Sequence, residues 1–130
     1  MDLYRRDSNP GAFSILPERM SKKHIRKLAA EAEIDLKGIN LNIEMNEDLL
    51  GKIYTGRADS EHVGGITFFP SAFKSKEDLI RTLYHEKVHV QQFKEFGVDY
   101  VQAHRAKFEQ LAYEAEEVFI TTLKEKGMLK

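Results

Sequence analysis

The sequence contains no cysteine. That absence excludes a disulfide framework, a thiolate metal site and a cysteine nucleophile, and it leaves oxidising and reducing compartments equally open. No apolar run approaches the roughly 20 residues needed to cross a membrane. The opening Met1-Asp2-Leu3-Tyr4-Arg5-Arg6 carries no apolar signal core. No membrane partner is expected, and the expected location is the cytoplasm or, by delivery, that of a secreted effector. An excess of one charge is missing too: 20 Lys and Arg stand against 21 Asp and Glu, a net charge of −1. A nucleic-acid binder acting through bulk charge is therefore not expected. There is no internal repeat and no low-complexity tract.

What is present suits one domain. The 130 residues are 42% hydrophobic and 32% charged, the balance of an ordinary globular chain long enough to bury a core. Residues 1–16 read as an irregular arm, with turn chemistry at Asn9-Pro10-Gly11. Pro17 suits a first helical turn, and Met20, Ile25, Leu28, Ala29 and Ala32 follow at helical spacing, predicting a helix over 18–33. Lys22, Lys23, Arg26 and Lys27 form its solvated face. Ile39, Leu41, Ile43 and Met45 alternate with Asn40, Asn42 and Glu44, which predicts a strand. Asn46 to Leu50 reads as a short helical turn, Lys52 to Thr55 and Ile66 to Phe69 as further strands, and 56–65 as a loop.

The second half is helical. Ser75 is suited to cap a helix whose first turn holds Glu77 and Asp78, and Gly97 supplies its stop near Phe96. Its apolar residues go most of the way round, so it is expected at the centre of the domain. A last helix is predicted over 99–125, with a buried stripe centred near Phe108, Ala115 and Phe119. The fold expected is α+β: a small, mainly antiparallel sheet packed on the central helix, with a long C-terminal helix.

Within the central helix stands His85-Glu86-Lys87-Val88-His89. Residues four apart lie one above the other on a helix, so both imidazoles can reach one metal ion. Zinc suits two neutral imidazoles and a carboxylate, with a fourth position left for water. Glu86 is placed to take a proton from that water as general base. The three-histidine extension is absent, because Val90-Gln91-Gln92-Phe93 follows. A third ligand must come from elsewhere. On the stripe above, Glu117 points to solvent. Glu114 shares a side with Leu111 and Val118, and Glu116 shares one with Ala112 and Leu123, so periodicity leaves these two open. His104 falls inside the stripe and is a rival.

The run from Leu83 to Gln92, then Gly97, then Tyr113-Glu114-Ala115-Glu116, resembles the zincin metallopeptidase-like domains. Within that group it is similar to the C-terminal toxin modules of bacterial polymorphic toxins. The likeness covers roughly residues 64–119. It implies Zn2+ held by His85, His89 and Glu114, hydrolysis of peptide or protein substrates, and an immunity or inhibitor protein as partner. It also implies that the strand in 64–69 edges the active-site cleft. Many glutamate-type members carry an aspartate one turn beyond the ligand glutamate, to orient a ligand histidine; this chain has Val118 there. Tyr113, next to Glu114, is the candidate for stabilising an oxyanion, ahead of Tyr84 and Tyr100. Gln91 and Gln92, and likewise His24 and His62, are expected to face solvent. The rival to the hydrolase is a non-catalytic zincin-like module that binds a partner.

Overall fold

The computed structural model describes residues 9–130. The first half of the expected arm therefore lies outside the described residues. Its last part is ordered: Gly11–Ile15 forms a 3-10 turn that buries Phe13. Asn9 is buried and holds this segment, donating to the Leu16 and Glu18 carbonyls and accepting from the Met20 N–H at 2.6 Å.

Helix α1 spans Lys22–Glu31 and is shorter than its apolar spacing predicts. Pro17 does not open it. Ser21 does, accepting from the His24 N–H at 3.1 Å. Strand β1, Asn40–Ile43, follows the alternating pattern, with Leu41 turned inward. Asn46 caps a 3-10 turn at Glu47–Leu49. The strand expected at Lys52 to Thr55 does not form, and Ile53 is 91% exposed. Pairing begins one residue later, in β2, Gly56–Ala58, within the expected loop. Strand β3, Gly65–Phe68, is buried along most of its length.

The sheet order is β1-β3-β2. β3 runs parallel to β1, Leu41 facing Ile66, and antiparallel to β2, Arg57 facing Thr67. The sheet is thus mixed rather than mainly antiparallel. The chain leaves β1, turns back as β2 at the far edge, and inserts β3 between them; that insertion forces one parallel pair. It also makes β3 the central strand, so the sheet's edges are β1 and β2 and not the 64–69 segment.

Helix α2, Lys76–Phe96, is capped by Ser75, which accepts from the Asp78 N–H at 3.0 Å, and stopped by Gly97 at a φ of 86°. α2 packs against α1, the sheet and both following helices, which is why it buries residues on several faces. The expected last helix is two. α3 spans Val98–Ala103, His104 breaks the run at φ −119° and ψ 38°, and α4 spans Arg105–Glu125. Ile25, Ile66, Phe68, Phe73, Leu79, Ile80, Leu83, Val90 and Ile120 form the deepest core. The architecture is α+β, and no helix of the described residues is long and apolar enough to cross a membrane.

Gly56 sets how closely β2 approaches α2. A Cβ there would lie 2.7 Å from Thr82 Cγ2, 2.9 Å from the Thr67 carbonyl oxygen and 3.5 Å from Glu86 Cγ. The carbonyl belongs to the paired strand and cannot yield without breaking the ladder. Gly56→Ala is expected to destabilise the fold by about 1–3 kcal/mol, read as a lower denaturant midpoint at unchanged m-value.

Candidate metal centre

His85 and His89 project from α2 toward α4 and are both largely buried. Their Nε2 atoms lie 3.2 Å apart. The carboxylate that meets them is Glu109: its Oε1 is 2.5 Å from His85 Nε2 and 3.1 Å from His89 Nε2. These three residues form a group able to hold a metal ion.

Glu114, the glutamate that the resemblance implies, is elsewhere. It is exposed and accepts from Gln110 Nε2 at 3.4 Å. His104 is also exposed, at the junction of α3 and α4, with Nδ1 donating to the Tyr100 carbonyl at 2.9 Å. The reason is helix phase. The residues α4 buries are Phe108, Ala112, Glu116, Ile120 and Leu123. Against the stripe centred on Phe108, Ala115 and Phe119, the observed one is turned by roughly 60°, at 100° per residue. Leu111 and Val118 are accordingly exposed, at 44% and 68%, and Glu114 falls diametrically opposite the buried side. Glu109, Tyr113 and Glu116, at steps of four and three, share the face turned to α2.

Glu116 takes a supporting position. It is 8% exposed and accepts from His85 Nδ1 at 3.0 Å through Oε1. Its other oxygen accepts from Arg81 Nη1 at 2.7 Å. Arg81 also donates to Glu77 and Glu117. Burial would push the Glu116 carboxyl upward, but the hydrogen bonds from His85 and Arg81 outweigh it and hold the pKa below the usual range. Gln92 does the same for the second histidine: its Nε2 donates to the Phe108 carbonyl at 3.1 Å, leaving Oε1 to accept from His89 Nδ1 at 2.8 Å. Gln92 is thus buried at the site, whereas Gln91 faces solvent as expected. The signal for Gln92 was its spacing of three from His89, on the same helix face.

These partners decide the tautomers. With Nδ1 of each ring donating, each neutral imidazole presents its Nε2 lone pair inward. Two nitrogen lone pairs and a carboxylate oxygen then converge on one point, an arrangement that repels itself unless a positive charge sits between. A tetrahedral zinc with bonds of about 2.0–2.1 Å spaces its ligands about 3.3 Å apart. Two of the three separations, 3.2 and 3.1 Å, already match. The donor set therefore fits zinc. Without a cation the site turns to protons. Burial lowers the His85 pKa, but the Glu116 hydrogen bond and the charges of Glu86 and Glu109 overcome it and raise it.

Glu86 is 8% exposed. Burial raises its pKa, against the opposing pull of His85 and His89. Tyr113 stands beside His85, with ring centroids 4.5 Å apart. Its pKa is raised by burial and by the charges of Glu109, Glu116 and Glu86, so the phenol keeps its proton. The two other tyrosines weighed as oxyanion donors are engaged elsewhere: Tyr84 stacks on Phe119 at 4.0 Å and Tyr100 lies against His104 at 4.2 Å. His24 is partly buried against Glu18 at 2.8 Å, and His62 is exposed near Asp59.

Two concavities, of about 400 and 340 Å3, meet at Gly56, Glu86 and Glu109. Together they form a groove that runs past the histidines beside the outer edge of β2. If Glu116 orients His85, Glu116→Ala is expected to weaken zinc binding about 10- to 100-fold. Arg81→Met should reproduce part of that loss, as measured by competition with a chromogenic chelator.

Comparison with protein families, with curated proteins and with solved structures finds no match, so the functional reading rests on these residues and their geometry.

Proposed function

We propose that the protein is a zinc-dependent, metallopeptidase-like hydrolase that cleaves peptide bonds. The observation that carries this reading is the convergence of His85 Nε2, His89 Nε2 and Glu109 Oε1 at the waist of a groove, with Glu86 beside them. The likeness of the His85–His89 run to zincin domains supports it, and the ligand glutamate is then Glu109. The same likeness supports a role as a bacterial toxin effector, restrained by an immunity protein.

Zinc held by His85, His89 and Glu109 would polarise a carbonyl and acidify a bound water. The remaining work falls to the chain. Glu116 and Gln92 hold each imidazole with Nε2 turned inward. Glu86, its carboxyl raised by burial, is poised to accept a proton as the water oxygen bonds to the carbonyl carbon. It can then return that proton to the amine nitrogen as the C–N bond breaks. Tyr113, still protonated, is placed to donate a hydrogen bond to the carbonyl oxygen as it gains charge. Strand β2 borders the groove, where an extended peptide would lie along it.

The test is metal content with activity. Purified protein is expected to bind close to one zinc per chain, to cleave an unfolded protein substrate, and to lose cleavage to a chelator and regain it with zinc. Protein that takes up no zinc and shows no thermal shift when zinc is supplied would overturn the reading.

A further inference from the structure

The groove differs in charge from end to end. The end beside Tyr113 is lined by Asp78, Glu116 and Arg81, the last neutralised by its carboxylate partners, with Ile53 and Tyr54 also against it. The opposite end, of about 400 Å3, has an apolar floor of Phe93, Val101 and Phe108, and its walls include Arg57 and Arg105. Arg105 opens α4 and precedes Glu109 by one turn. It therefore stands on the same helix face as the carboxylate that meets the histidines.

Among the described residues neither the Arg57 nor the Arg105 guanidinium, both on exposed residues, has a hydrogen-bond or ion-pair partner. Arg81, at the other end, has three carboxylate partners. The contrast matters because two acids of the site, Glu109 and Glu116, are already engaged. Glu109 faces the two histidines, and Glu116 is held by His85 and Arg81. A guanidinium with no counter-ion, lining a cavity with apolar residues and at the positive end of a 21-residue helix, favours an anionic group. The planar fork matches a carboxylate.

We infer that this end of the groove takes a carboxylate of the substrate, bound by Arg105, with Arg57 adding positive potential from β2. The inference rests on the peptide-hydrolase reading and narrows it to substrates that carry a carboxylate next to the cleaved bond. An acidic side chain and a chain's own C-terminal carboxylate offer the same chemistry.

The two sources separate in a binding experiment. Zinc-loaded full-length Glu86→Gln protein is titrated with fluorescent peptide pools. One position is fixed as Glu, Gln or Lys, and each pool has either a free or an amidated C-terminus. If the group is a side chain, the Glu pools bind about tenfold more tightly than the Gln pools with either terminus. If it is the chain end, the free-acid pools bind about tenfold more tightly than the amides. In both cases Arg105→Met removes the contrast while keeping zinc and the weaker affinity, and Arg105→Glu moves the preference to the Lys pools. The contrast should also shrink at high salt. Equal binding of all pools, no binding of any, or a contrast that survives Arg105→Met would overturn the inference. Turnover is not read here, so failure of the wild-type protein to cleave peptides bears on the hydrolase reading alone.

Discussion

Glu86→Gln is expected to remain folded and zinc-loaded and to lose about 100- to 10,000-fold in peptide cleavage, the range that general base catalysis supplies. Glu86 is not one of the residues that converge as a metal-holding group, so its substitution leaves His85, His89 and Glu109 intact. The amide is nearly the size of the carboxylate and fits the same space. It also removes a buried carboxyl whose ionised form burial disfavours, so stability should hold or rise slightly. The measurement is a pair: zinc per chain and cleavage rate. If the chain acts as a toxin, the same substitution abolishes growth inhibition on expression inside bacteria. Full activity with zinc retained would leave the metal site standing and make it the centre of a partner-binding module.

Glu109→Gln against Glu114→Gln gives the second large contrast. Glu109 brings one carboxylate oxygen to both imidazoles, and their charge and hydrogen bonds overcome the upward push of burial to keep its pKa low. Its amide would lose the anionic oxygen that zinc prefers, and zinc affinity should fall by at least about 100-fold, beyond the 10- to 100-fold typical of losing a supporting residue. Glu114→Gln changes only an exposed contact with Gln110 and should leave binding unchanged. Isothermal titration of both variants with zinc reads the difference. Equal losses, or a larger loss in Glu114→Gln, would remove Glu109 from the ligand set.

That contrast also marks where local pattern stopped being enough. The His85–His89 pair needs only the four-residue periodicity of one helix, and the Ser75 cap and Gly97 stop of that helix are equally local. The third residue lies on another helix, 20 positions beyond His89. Which glutamate arrives there depends on the rotation of α4. The break at His104 and the packing of Phe108, Ala112, Ile120 and Leu123 set that rotation. Val118 and Leu111 are apolar but exposed; periodicity therefore left Glu114 and Glu116 equally open, and only the resemblance pointed to Glu114. Glu116 stands in the sequence as an alternative third ligand rather than as a supporting residue. It is buried because Arg81 and His85 meet it from α2.

The sheet shows the same division. Alternation in Asn40–Ile43 marked a strand, and the apolar run at Gly65–Phe68 marked another. Neither carries information about order or direction. β2 has three residues, two of them Gly56 and Ala58, with no strand pattern of their own. They extend because β3 offers an open edge and α2 leaves room for a glycine and nothing larger. By itself the sequence determined an α+β chain with a capped central helix that presents two imidazoles and a carboxylate neighbour, because these follow from periods of two and of 3.6 within single segments. Tertiary structure alone decided that Glu109 meets the histidines, that Glu116 and Gln92 orient them, and that β2 borders the groove, because each depends on how separate elements rotate and pack against one another.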